Sequence, residues 1–188
     1  MAANTGDRRI ERAILDTMTG QSAVASSSRV KSSGAGGWII GKPEHYDRAR
    51  GMDLLQLTTF LDKTQRNAES DGTAPTLETG GAAFQAFLTL LQGELNSRGV
   101  IDVLRRGVAL KDGQQVLFYG GRSRRFTQNV FSVIPRLQYS LDDTQPTLDL
   151  CLFVNGLPVI TLLELWPRTP LIVGISDDTE ICLHRVAI

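Results

Sequence analysis

Residues Asp149-Leu150-Cys151-Leu152-Phe153-Val154-Asn155-Gly156-Leu157-Pro158-Val159-Ile160-Thr161-Leu162-Leu163-Glu164 decide the fold. Two apolar runs, 148–154 and 157–165, flank the dipeptide Asn155-Gly156. Both residues of such a pair tolerate positive φ, which a tight two-residue turn between antiparallel strands requires. The spacing therefore predicts a β-hairpin. Both faces of both runs are apolar, as expected of central strands in a sheet covered on two sides.

Upstream the periodicity is different. Ile10, Ala13, Ile14 and Met18 recur at helical spacing within Arg8–Met18,. The stretch from Gly20 to Gly37 is rich in Ser, Gly and Ala and reads as a flexible linker,. Trp38–Ile40 reads as a short strand. Leu54, Leu57, Phe60 and Leu61 form the stripe of a helix from about Asp53 to Lys63, with Asp53 as N-cap,. After a polar loop, Phe84, Phe87, Leu88, Leu91 and Leu95 mark a helix from Ala82 to Asn96, with Gly99 as its stop,. From Gly107 onward, 107–110, 115–119 and 129–137 read as short strands, and so do 171–175 and 181–186 near the end,. Helices first and a mixed sheet after them give an α/β domain, with α+β as the alternative.

Composition sets outer limits. The chain has 188 residues, enough for one core, and a formal net charge of zero,. Any contact with nucleic acid must come from a local patch. No apolar run is long enough to span a membrane, and no apolar signal segment opens the chain,. Two cysteines, Cys151 and Cys182, make no disulfide framework,. A cytoplasmic protein with buried, reduced Cys151 is the expectation. His45 and His184 lack a cysteine pair at ligand spacing, so zinc is not expected,. No Gly-x-Ser-x-Gly elbow and no Gly-rich Lys-Ser/Thr phosphate loop occur, so neither a serine hydrolase nor ATP binding is expected,.

If Asn155 and Gly156 are the whole loop, Asp149 falls opposite Leu162 and points the same way as Glu164. The two carboxylates are then diagonal neighbours, with Cβ atoms roughly 7–8 Å apart. That separation suits one hard divalent cation such as Mg²⁺, which takes oxygen ligands and keeps several waters. The plainer alternative is two acids that end core strands.

An Asp that begins one strand and a Glu-x-Lys that ends the next are the signature of the PD-(D/E)xK nucleases. The segment Leu152-Phe153-Val154-Asn155-Gly156-Leu157-Pro158 resembles the nuclease region of the restriction subunit of type I restriction-modification enzymes. Gly99-Val100-Ile101-Asp102-Val103-Leu104-Arg105, Leu117-Phe118-Tyr119 and Asn129-Val130-Phe131-Ser132-Val133 fit the same family. The resemblance runs from about Trp38 to Pro167. It implies a PD-(D/E)xK nuclease-like core, with 1–37 as a helix and flexible stretch, 38–167 as the nuclease-like domain and 168–188 as a divergent tail.

It also implies Mg²⁺-dependent phosphodiester hydrolysis, with Asp149 and Glu164 as catalytic metal ligands. DNA is the implied substrate, and methylation and specificity subunits are the implied partners. The lysine of the family's trio is replaced by Trp166. Losing one such preorganised charge costs about 10²–10³ in rate, so impaired cleavage is expected. Lys111 has no evident route to that place. Arg122, Arg124 and Arg125, beside Phe126, are the expected DNA-binding cluster, with Arg105, Arg106 and Lys111 as further candidates for phosphate contacts. Glu11 on the first helix is a further candidate near the metal. Past Pro167 no trace of the family follows, as though the chain were truncated. A change of reading frame near codon 166 accounts for both the lost lysine and the tail. A non-catalytic module that docks on DNA or partner subunits is the alternative, and the inert product of a broken gene is a third.

Overall fold

The computed structural model describes residues 7–20, 37–69, 81–110, 113–120, 123–141, 147–165, 169–174 and 182–184. The elements run α1 (Asp7–Thr19), β1 (Trp38–Ile40), β2 (Tyr46–Asp47), β3 (Met52–Asp53), α2 (Leu54–Glu69), α3 (Ala82–Arg106), β4 (Val108–Ala109), β5 (Gln115–Val116), β6 (Phe131–Leu137), β7 (Leu148–Val154), β8 (Leu157–Leu165), β9 (Thr169–Gly174) and β10 (Cys182–His184). Short 3-10 turns cover Pro43–His45 and Ser123–Gln128. Helices and a mixed sheet share the chain, an α+β arrangement.

Six strands form one sheet in the order β1-β6-β7-β8-β9-β10. β1 runs parallel to β6, and the other pairings are antiparallel. The predicted hairpin is β7 and β8, at the centre, and its bounds match the two apolar runs. Asn155 and Gly156 have φ of 54° and 81°, the positive pair the turn demands,.

Both faces of the hairpin are covered. On one side Ile14, Leu15 and Met18 of α1 pack on Val133, Leu150 and Leu152. On the other, Tyr46 closes over Ile134, Cys151 and Phe153, with Tyr46 and Phe153 edge to face at 6.0 Å. α2 and α3 build the largest cluster at the turn end, where Leu157 joins Leu57, Phe60, Leu88, Leu91 and Phe118. Each fully buried side chain of this size contributes about 1.5–3 kcal/mol.

Helix α2 continues to Glu69, past the expected Lys63, because polar residues propagate a helix once its first turns are anchored,. Asp53 caps it as expected: the Gln56 amide donates to Asp53 Oδ1 at 3.2 Å. Gly99 does interrupt α3 (φ 76°, ψ 161°), but the chain re-enters a helix and stops at Gly107. Arg98 explains the continuation. Its guanidinium donates to Glu94 before the break (2.6 Å), Asp102 after it (2.7 Å) and the Gly107 carbonyl (2.8 Å). The strand expected over 115–119 narrows to two residues. The β2–β3 pair had no alternating pattern to announce it. The linker expected over Gly20–Gly37 falls almost wholly outside the described residues.

Candidate functional site: the end of the central hairpin

One expectation fails at the hairpin. The ladder pairs Val154 with Leu157 and Phe153 with Pro158, then shifts so that Leu152 meets Ile160. Val159 is the extra residue of a β-bulge. Pro158 gives the reason, since it cannot donate to the ladder and prolines in sheets gather at bulges. The shift puts Leu162 across from Leu150, not from Asp149 as the unbulged hairpin required. Carried one rung further, the register sets Asp149 across from Leu163 and Glu164 across from Leu148. The two acidic positions therefore stand on adjacent rungs of neighbouring strands, which in a regular pleat turn to opposite faces, so the register does not give the shared face that the unbulged hairpin predicted for Asp149 and Glu164,. The side chain of Glu164 lies outside the described residues, as does Trp166.

Strand β6 is irregular at the same level. Pro135 pairs with Leu150 and Leu137 with Leu148, so Arg136 lies across from Asp149. Arg136 has φ 50°, the left-handed region that costs a side-chain-bearing residue about 1–2 kcal/mol,. The simple alternation of faces fails there. Leu137 and Leu148 both pack with Cys151 and Phe153, although Leu148 is an even number of residues from Leu150 and Leu152, which face α1. Arg136 Nε reaches to 3.8 Å from Glu11 Oε1 on α1. Its side chain is 69% exposed, so the pair adds little stability,.

Four chemistry-bearing positions thus meet at one end of the sheet: Glu11 on α1, Arg136 on β6, Asp149 on β7 and Glu164 on β8. Asp149 is partly buried and Glu11 mostly so. Asp149 and Glu164 offer oxygen donors, which fit a hard cation and not a soft one. Among the described residues no group of three or more His, Cys, Asp or Glu is placed to hold a metal ion. Sequence reasoning overlooked Arg136. The one available signal was Pro135 inside a strand-like run, which marks an edge or an irregularity.

The arginine segment is elsewhere. Arg124 and Arg125 belong to the 3-10 turn 123–128, whose following residues hold the hairpin turn, and Arg122 precedes the described part of that turn. Asn155 and Asp149 stand six residues apart along β7, about 20 Å at the usual strand rise,. The side chains of Arg122, Arg124 and Arg125 lie outside the described residues.

The turn end is a polar lock. Asn155 is fully buried. Its Oδ1 accepts from the Val130 amide (2.6 Å), and its Nδ2 donates to the Phe118 carbonyl (2.6 Å) and to Asn129 Oδ1 (2.9 Å). Gly156 presses against α2, where a Cβ would stand 2.5 Å from both the Asp53 carbonyl and the Leu57 nitrogen. The Asp53 amide donates to the Gly156 carbonyl at 2.9 Å. Burial raises the Asp53 carboxyl above its ordinary value, and the amides of Gln56 and Leu55 and the nearby His45 oppose that. Burial also pushes the Cys151 thiol up to about 12.

No helix among the described residues is long and apolar enough to cross a membrane. Comparison with family models, with curated proteins and with solved structures gives no match to this chain.

Proposed function

We propose that this chain is a nuclease-like domain of the type I restriction-subunit kind, which holds a divalent cation and a DNA phosphate but cleaves poorly. The observation that carries this reading is Arg136. It has a left-handed backbone, its Nε stands 3.8 Å from Glu11 Oε1, and its position on β6 lies across from that of Asp149. Side chains held in such a conformation gather at binding and catalytic sites. A guanidinium at this end of the sheet suits a phosphate bound through a cation, because its fork of donors matches phosphate oxygens.

In this reading Asp149 and Glu164 hold Mg²⁺, and Arg136 orients the phosphate. The cation, when bound, polarises the phosphate and acidifies a water. With tryptophan at position 166, the lysine's share of charge stabilisation is missing, so binding outlasts cleavage.

Calorimetry with Mn²⁺ on the full chain tests the proposal. One binding site is expected, lost in Asp149→Asn. Arg136→Gln should retain Mn²⁺ and bind duplex DNA more weakly in its presence. Absence of Mn²⁺ binding, or binding indifferent to Asp149→Asn, removes the site.

A further inference from the structure

Three buried polar atoms under the segment that joins β1 to α2 have no hydrogen-bond partner among the described residues: Asp53 Oδ2, Ser132 Oγ and His45 Nδ1. Asp53 and Ser132 are fully buried, and His45 is half-buried with its Nδ1 shut off from solvent. Buried polar groups are almost always paired, so orphans in one neighbourhood point to a common partner.

One face of the sheet brings the three together. Val133 packs on the α1 side and Ile134 on the Tyr46 side, so the pleat turns Ser132 to the Tyr46 side as well,. Tyr46 is the partner of Asp53 across β2 and β3. Asp53 lies against the same part of β6: a Cβ on Gly41 would stand 3.3 Å from Asp53 Oδ2 and 2.8 Å from Ile134 Cγ1. Gly41 itself donates to the carbonyl of Val133, the residue after Ser132, at 2.9 Å. The 3-10 turn that carries His45 packs on β6, and His45 is close enough to Asp53 to act on its charge.

The chemistry of the three atoms selects the occupant. Asp53 Oδ2 is an acceptor, while Oδ1 is already engaged by the Gln56 amide at 3.2 Å. His45 Nδ1 is an acceptor when the neutral ring carries its proton on Nε2, and the Ser132 hydroxyl donates. Two acceptors and one donor complement a single water, which then donates twice and accepts once. About three bonds to otherwise unpaired groups is the usual complement of an internal water. Among the described residues no third acid, cysteine or histidine joins Asp53 and His45, which leaves a metal ion short of ligands,.

We infer that one ordered internal water bridges Asp53 Oδ2, Ser132 Oγ and His45 Nδ1, and that this bridge latches the 3-10 turn 43–45 and the start of α2 to β6. The latch closes over the side of the sheet where Cys151 and Phe153 are buried. None of its three groups belongs to the carboxylate site, so the bridge stands or falls independently of the proposed function.

Oxygen-17 magnetic relaxation dispersion on the full chain counts the waters held long inside it. His45→Phe removes one acceptor and sets a carbon edge in its place, and it should hold one such water fewer than the parent, with an unchanged circular dichroism spectrum. Urea unfolding of the parent, His45→Phe, Ser132→Ala and the double variant supplies the second readout. Once the water is gone the remaining partner matters less, so the double variant's effect on the unfolding constant should fall about fivefold short of the product of the single effects. An unchanged count of long-lived waters in His45→Phe, or single effects that multiply to within about twofold, overturns the bridge.

Discussion

Asn155 and Val130 are bonded to each other twice: the Val130 amide donates to Asn155 Oδ1 at 2.6 Å, and the Asn155 amide donates to the Val130 carbonyl at 2.7 Å. A residue whose sequence context announces only a turn is therefore the buried joint between the central hairpin, β6 and the segment after β5.

Asn155→Ala should lower stability by about 2–4 kcal/mol. It strands the Val130 amide and the Phe118 carbonyl away from water, each at about 1–3 kcal/mol, and puts alanine at a positive φ. Urea unfolding reads the change. A loss below about 0.5 kcal/mol, the range of ordinary surface substitutions, would show that the joint carries no weight.

Gly156→Ala should be at least as damaging, near 3 kcal/mol or more. The new Cβ meets backbone atoms of Asp53 and Leu57, which cannot step aside as a side chain can,. Thermal melting of the purified variant checks this, and a melting temperature within about 2 °C of the parent, well under the shift of about 3 °C per kcal/mol, contradicts it.

Asp53→Asn should stabilise the protein at neutral pH. The folded state raises the Asp53 carboxyl above 3.8, so folding favours the protonated form. That contribution is fully present below 3.8 and is lost as pH rises through the higher folded-state value. Asn keeps an oxygen for the cap of α2 and does not titrate. The variant's advantage in urea midpoint should be greatest at pH 8 and should close as pH falls towards 4. A gap independent of pH would mean that Asp53 is not the group involved.

Arg98→Met should cost about 1–2 kcal/mol, because three charge-assisted bonds tie the two halves of α3 across Gly99, discounted for a side chain 31% exposed,. Hydrogen exchange localises the effect: the amides of 100–106 should lose protection more than those of 84–95. Equal loss in both halves would argue against a strap.

Cys151 should resist alkylation in the folded protein at pH 8, since its thiol is buried and pushed up to about 12,. Mass spectrometry after brief iodoacetamide treatment should find it modified only when urea is added. Modification at the rate of a free thiol would show that the sheet face opens.

The sequence by itself determined the local elements. Period-two and period-3.6 patterning, the Asn155-Gly156 turn, the Asp53 cap and the central place of the hairpin are short-range or single-face properties, and each is written in neighbouring residues. Tertiary structure alone decided what those elements bring together. The bulge at Val159 follows from Pro158, yet its consequence, a shifted register that takes Asp149 off Leu162, appears only once the strands pair. The left-handed turn at Arg136 places that residue between Glu11 and Asp149, which are far apart in the chain. Ring contacts join residues 38, 119, 126 and 131 with no common period. Patterning records which face of an element avoids water. It does not record which faces meet, because that is set by packing between segments whose separation along the chain carries no signal of their contact.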